Sequence, residues 1–134
     1  MKHGLGGNVA VTGVAGFIGS NLADRLRSMG IDVVGLDNFS NGFMENLAGL
    51  KNDDGFRLIR GDILKEKDLS AALKGADSVI HLAAQSSVAK STENPVSDFE
   101  LNVVGTLNVL ECARKSGVKN VLFASSSTVY GEAP

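Results

Sequence analysis

An α/β fold built on a parallel, doubly wound sheet is what this sequence predicts, and three observations carry the prediction. Short apolar runs of strand character alternate with helix-period segments from one end of the chain to the other. These runs read as strands covered by helices on both faces, which is how parallel sheets are built. Between the first run and the first helical segment stands Gly13-Val14-Ala15-Gly16-Phe17-Ile18-Gly19, a glycine-rich turn from strand into helix. With right-handed crossovers, such units give the strand order 3-2-1-4-5.

Residues 8–12 (Asn-Val-Ala-Val-Thr) form the first expected strand, and 20–26 have helical periodicity. Residues 32–37 are the second strand, followed by a Gly/Asn/Ser-containing loop at 38–42 and a short helical piece around 45–50. Residues 57–60 are the third strand, closed by Gly61-Asp62. A helix over 65–73 ends at Gly75, a residue suited to a helix C-terminus. Residues 78–82 are the fourth strand. Pro95 opens a long helix that runs to Ser116 and stops at Gly117, and residues 120–125 are the fifth strand. There is no internal repeat and no low-complexity segment.

The chain has 134 residues, the size of one domain with one core, and its 43% hydrophobic and 21% charged residues suit ordinary globular packing. A net charge of -2 without a basic stripe argues against a nucleic-acid surface. No apolar run reaches the length of a membrane span. The first seven residues lack an apolar signal core, and their glycines suggest a loose lead-in. Cys112 is the only cysteine, so no intramolecular disulfide forms; this fits a reducing cytoplasm, and the residue reads as a small core side chain.

Glycines at the strand–helix junction let the backbone turn sharply and approach a pyrophosphate, while the free N–H groups of the new helix face its negative charge. Asp37 ends the second strand roughly 20 residues further on, where a dinucleotide site needs a carboxylate to accept from the adenosine ribose hydroxyls. That carboxylate would repel a 2′-phosphate, so NAD is favoured over NADP. Alone, Asp37 is equally a solvated strand-end residue; the glycine turn upstream favours the ribose role. The segment from Val96 to Ser116 is apolar on more than one side, with Phe99, Leu101, Val103, Val104, Leu107, Val109 and Leu110 unable to face one sheet together. Two readings stand: burial by protein that follows Pro134, or a subunit interface, as in a homodimer.

The spacing G-x-x-G-x-x-G, together with Asp37-Asn38-Phe39-Ser40, Gly61-Asp62-Ile63, His81-Leu82-Ala83-Ala84-Gln85 and Ser125-Ser126-Ser127-Thr128-Val129-Tyr130-Gly131, resembles the extended short-chain dehydrogenase/reductase family. Within it the closest likeness is to the NAD-dependent UDP-sugar 4-epimerases, and the match runs from Asn8 to Glu132. The resemblance implies a Rossmann-type domain with NAD as cofactor and a UDP-sugar as substrate. Gly13, Gly16 and Gly19 would form the pyrophosphate loop, with Phe17 and Ile18 giving backbone N–H groups to it. Asp37 and Asn38 would hold the ribose, Asp62 and Ile63 would line the adenine, and Leu82, Ala83 and Ala84 would pack along the cofactor. Lys90 sits where relatives contact a phosphate, although a solvated lysine is an equal reading, and Asn102 would support strand ends through its amide.

Ser126 is the catalytic candidate that the resemblance implies, four residues before Tyr130, to hydrogen-bond the sugar hydroxyl undergoing oxidation. Ser125 and Ser127 are expected to cap or turn the backbone, His81 to be a hydrogen-bonded structural histidine, and Tyr130 to pack beside the site. The family's Tyr-x-x-x-Lys base is missing: Tyr130 is the only tyrosine, and Pro134 stands four residues after it. Residues 1–134 are therefore expected to be an incomplete NAD-binding domain, cut after the fifth strand, without the substrate domain and inactive alone. Three functions remain in view. They are a C4 epimerase of UDP-sugars, a nucleotide-sugar 4,6-dehydratase, and a non-catalytic NAD-binding module completed by a partner. Dehydratases of this family tend to carry Asp-Glu where this chain has Ser127-Thr128, which leans toward the epimerase.

Overall fold

The protein, described by a computed structural model over residues 4–131 apart from the side chain of Ser127, is one parallel sheet with helices on both faces. The strands are β1 (Asn8–Thr12), β2 (Asp32–Asp37), β3 (Phe56–Arg60), β4 (Ser78–His81) and β5 (Asn120–Phe123), in the order β3-β2-β1-β4-β5. All four neighbouring pairs are parallel. The helices are α1 (Phe17–Ser28), α2 (Glu66–Leu73), α3 (Val88–Glu93), α4 (Pro95–Phe99) and α5 (Gly105–Ser116), with 3-10 turns at Met44–Leu50 and Ser127–Tyr130.

Alternation along the strands divides the core in two. Val9 and Val11 of β1 join Ala23 and Leu26 of α1 and Leu47 and Leu50 of the 3-10 turn. Ala10, one residue away and therefore on the opposite face, joins Leu69 and Leu73 of α2 and Val109 and Ala113 of α5. The period of two in β1 thus fills two helical layers at once, which is the meaning of double winding at the level of side chains. Gly35 of β2 carries no side chain because Val14 occupies its space: a Cβ there would lie 2.5 Å from Val14 Cγ1.

Several expectations are corrected. The lead-in is not loose from Gly4 onward: Leu5 packs against the core, its carbonyl accepts from Ser78 Oγ at 2.6 Å, and Asp77 Oδ2 accepts from the amides of Gly7 and Asn8. Its first residues, Met1–His3, and also Glu132 and Pro134 lie outside the described residues. The long helix runs unbroken from Pro95 to Ser116 and stops at Gly117, as expected, but holds one π-type turn. Asn94 caps α4 by accepting from Ser97 N, Pro95 takes the first helical position, and a wide π-type turn at Glu100–Val104 joins α4 to α5. A separate helix, α3, precedes it, capped by Ser87, whose side chain accepts from Lys90 N. Of the apolar residues whose cover was expected from protein after Pro134 or a second subunit, Val109 is fully buried within the described residues, while Phe99, Val103, Leu107 and Leu110 are exposed there, which leaves both readings standing. The fifth strand ends at Phe123, not Ser125, and every residue in it is exposed, because β5 has only one neighbour in the described sheet.

Candidate functional site

A cleft of about 420 Å³ opens across the carboxyl ends of the five strands, its walls carrying Gly13 after β1, Asp37 at the end of β2, Gly61 after β3, Leu82 after β4 and Ala124 after β5. The strand order reverses between β1 and β4, so this crevice lies at the switch point where open α/β sheets take their ligands.

The turn into α1 is packed backbone against backbone. Gly13 has φ +70, and a Cβ on it would lie 2.8 Å from Ala83 N; a Cβ on Gly19 would collide with the Gly13 carbonyl and come within 2.8 Å of Val14 Cα. No side chain of this size fits either place. Gly16 N–H donates to Gly13 O at 3.2 Å and Ser20 N–H to Gly16 O at 3.0 Å. Between them, the N–H groups of Phe17, Ile18 and Gly19 have no acceptor among the described residues. No side chain caps α1 and no acidic residue stands in its first turn, whereas α2 begins with Glu66 and Asp68, and α3 and α4 are capped by side chains. The positive end of the α1 dipole is left open among the described residues.

Asp37 is only 8% exposed and is held at both oxygens: Oδ2 accepts from Ala15 N–H at 2.8 Å and Oδ1 from Phe39 N–H at 2.8 Å. The Ala15 carbonyl accepts in turn from Phe43 N–H at 3.1 Å and Asn46 Nδ2 at 2.8 Å, so the loop after β2 is bound to the glycine turn. Asn38 Oδ1 accepts from Ser40 N–H, which aims its amide nitrogen at Asp62 Oδ2, 3.2 Å away; Asp62 Oδ1 accepts from Leu64 N–H. Each carboxylate oxygen keeps a free lone pair for a further donor.

The structure brings every residue expected to meet the cofactor to this one cleft. Gly13, Gly16, Phe17, Ile18 and Gly19 line it from the helix start, Asp37, Asn38, Asp62 and Ile63 from the ends of β2 and β3, and Leu82, Ala83 and Ala84 from the segment after β4. Ser126 lies beyond its lining. Its Oγ caps the last 3-10 turn by accepting from Thr128 N–H at 3.3 Å and lies 2.7 Å from Thr128 Oγ1. Ser127 opens that turn, as one of the two roles expected of it, while the cap is supplied by Ser126. Tyr130 does not pack beside the site: it is 87% exposed. Lys90 Nζ donates to Asn41 Oδ1 at 2.8 Å, reaching across to the loop after β2.

His81 is buried, and burial lowers its pKa to about 4. Asn102, in the wide turn between α4 and α5, accepts from Gln85 N–H at 2.8 Å and donates to Asp98 Oδ1 at 3.1 Å; it holds the loop after β4 and not a strand end. No group of three or more metal-ligating side chains is found among the described residues.

The pattern of the NAD dependent epimerase/dehydratase family matches residues 9–134. The chain belongs to that family. Among relatives of this epimerase/dehydratase chain, the UDP-glucose 4-epimerase of Mycolicibacterium smegmatis is 46% identical over 127 residues, covering 92% of the chain and 40% of that protein. The Thermus thermophilus UDP-glucose 4-epimerase in complex with NAD superposes with a TM-score of 0.84 at 41% identity, over 95% of this chain and 40% of that one. DesIV of Streptomyces venezuelae, a dTDP-glucose 4,6-dehydratase with NAD and TYD bound, gives 0.88 at 35% identity, over 95% and 42%. The chain thus spans about 40% of the length of the relatives it matches.

Sequence reasoning missed four residues of this epimerase/dehydratase cleft and its support. Asn41 and Gly42 line it, and the only signal at those two positions was turn-forming composition. Leu101 also lines it, placed by the wide turn that interrupts the helix period. Thr12, fully buried at the end of β1, accepts from the amides of Leu82 and Ala83; a threonine in a β-prone run gives no sign of that duty.

Proposed function

We propose that this chain is the NAD-binding part of a nucleotide-sugar epimerase that inverts C4 of a UDP-sugar by transient oxidation to a 4-keto intermediate. The observation that carries the reading is the pairing of three open amides at the start of α1 with the fixed carboxylate of Asp37 on one cleft. The amides of Phe17, Ile18 and Gly19 bind a diphosphate, with the glycines at 13 and 19 letting it approach. Asp37 accepts from the ribose hydroxyls and repels a 2′-phosphate. Asp62 takes the adenine amine, and the small side chains of Ala83 and Ala84 let the cofactor lie along the segment after β4. NAD, when bound, supplies a reversible hydride acceptor.

Ser126 holds the hydroxyl at C4, its own proton free to turn from Thr128 to the sugar. The tyrosine base of the Tyr-x-x-x-Lys pair and the sugar-nucleotide domain follow Pro134 in a longer protein, so residues 1–134 alone bind cofactor without turning substrate over. The exposed apolar residues Phe99, Val103, Leu107 and Leu110 suit a homodimer contact. No helix among the described residues is long and apolar enough to cross a membrane, and a cytoplasmic enzyme without nucleic-acid partners fits the charge and the single cysteine.

Calorimetric titration of the full-length protein with NAD and NADP tests the cofactor: saturable heat with NAD and much weaker binding of NADP are expected, and no saturable heat at millimolar NAD overturns the reading. Incubation with UDP-galactose, followed by chromatography for UDP-glucose, tests the reaction. Ser126→Ala is expected to lower kcat about 100-fold, while the lost cap costs the fold about 1 kcal/mol. A second reading, the 4,6-dehydratase, is favoured by the TM-score of 0.88 to DesIV. Release of a 4-keto-6-deoxy sugar nucleotide in the same assay would select it; Ser127-Thr128 in place of Asp-Glu weighs for the epimerase.

A further inference from the structure

His81 lies at the end of β4 with two threonines as its hydrogen-bond partners, and the partners of those threonines fix where every proton sits. Thr12 Oγ1 accepts from Ala83 N–H at 3.2 Å and from Leu82 N–H at 3.2 Å, the latter shared with the Thr12 carbonyl at the same distance. Its own proton must then go to His81 Nδ1, 2.6 Å away. On the other side of the ring, Thr106 Oγ1 gives its proton to Asn102 O at 2.6 Å and is left as an acceptor for His81 Nε2, 3.0 Å away. The chain of donors therefore runs one way, from the amides of Leu82 and Ala83 through Thr12, the imidazole and Thr106 to the Asn102 carbonyl.

We propose that this relay, with His81 neutral and its proton on Nε2, is what positions residues 82–85 along the cleft. It rests on the reading of that cleft as the NAD site. One end of the relay holds the amides of Leu82 and Ala83, which line the cleft. The other ends on Asn102, whose side chain accepts from Gln85 N–H and donates to Gln85 O. The segment after β4 is thus gripped at two points through one ring, and a one-way chain has a single arrangement that satisfies all its members. Reversing the tautomer would set two protons against each other at Thr12. Among the described residues nothing charged is hydrogen-bonded to the ring. β1 and β5 carry no ionisable residue, and Phe123 covers the ring at 5.9 Å. On α5, Glu111 pairs with Arg114 and Lys115 with Glu66, while Cys112 lies 3.8 Å from Ser70 Oγ. Asp98 reaches the relay only through the Asn102 amide.

The test uses the full-length protein. Nitrogen chemical shifts of the His81 ring at neutral pH are expected to give a bare Nδ1 and a protonated Nε2; a protonated Nδ1 overturns the relay. Thr12→Val and His81→Leu are each expected to raise the NAD Kd about tenfold, the loss of roughly one hydrogen bond's positioning. His81→Asn, whose Oδ1 can replace Nδ1 as acceptor, is expected to recover about threefold of that loss, a rescue on the scale of part of one hydrogen bond. Variants that lose thermal stability yet bind NAD as well as the parent overturn the positioning role. If Thr12→Val does not fold, the ring shifts and Thr106→Val decide. If the parent itself gives no saturable heat with NAD, the cleft assignment falls while the ring shifts still decide the relay.

Discussion

Asp37 Oδ2 lies 2.8 Å from the Ala15 amide nitrogen and accepts its proton, with both residues buried, so the strand-end carboxylate and the glycine turn are a single piece of structure. Asp37 consequently has two duties, holding Ala15 and presenting its remaining lone pairs to the cleft. Asp37→Ala is expected to leave a buried N–H unpaired and cost about 1–3 kcal/mol, read by urea denaturation, and to abolish the preference for NAD over NADP, read by calorimetry. Unchanged stability would show that the Ala15 contact contributes nothing.

Gly16 and Gly19 are expected to separate fold from ligand. At Gly19 a Cβ meets backbone that cannot move, so Gly19→Ala should cost more than about 2 kcal/mol, the range of overpacking. At Gly16 the nearest atom to a Cβ is Gly13 O at 3.3 Å, and the backbone there is one that any residue adopts. Gly16→Ala should keep stability within about 1 kcal/mol while weakening NAD binding. Equal stability loss in the two variants would refute the distinction.

The buried His81 makes stability depend on pH. Its pKa falls from 6.5 in the unfolded chain to about 4 in the fold, so the unfolded state binds more protons between those values. Stability is therefore full above pH 6.5 and declines as pH falls toward 4. Between pH 6.5 and 5 the loss should be about 2 kcal/mol, at 1.36 kcal/mol per unit. Asp77, Glu66 and Glu111, whose pKa values are lowered by hydrogen bonds from the Gly7 and Asn8 amides, Lys115 and Arg114, act in the same direction but only below the carboxylate range. Urea denaturation at the two pH values, with His81→Gln as the reference, isolates the histidine; equal slopes in parent and variant would contradict this.

Asn102→Asp keeps an acceptor for Gln85 N–H but turns an oxygen toward Gln85 O and the Asp98 carboxylate. The variant is expected to be about 1–3 kcal/mol less stable at pH 7, with faster hydrogen exchange at the Gln85 amide, and to regain part of the loss on acidification. Unaltered exchange at Gln85 would remove Asn102 as the brace of that loop.

The sheet and the lining of the cleft were legible in the sequence because both rest on local patterns. Each strand is an apolar run, and the order of strands follows once Gly13, Gly16 and Gly19 mark the first strand–helix turn. What stayed hidden depends on contacts between distant segments. The π-type turn at Glu100–Val104, inside the long helix, leaves no trace in composition; it is known by the hold of Asn102 on Gln85, 17 residues earlier. Ser126 looked like a residue waiting for substrate, and its use as a cap depends on where β5 lets go of β4, at Phe123. Tyr130 was expected to pack beside the site and is exposed, while the apolar face of α4 and α5, whose cover was expected from protein after Pro134 or a second subunit, is exposed among the described residues. The looseness expected of Gly4–Gly7 was read from glycine content alone and missed Asp77, seventy residues away, as the anchor of Gly7.

Every wall of the cleft lies between Gly13 and Ala124. A dinucleotide held there would bridge the ends of all five strands, and its binding would favour the folded form of these residues over the unfolded by mass action.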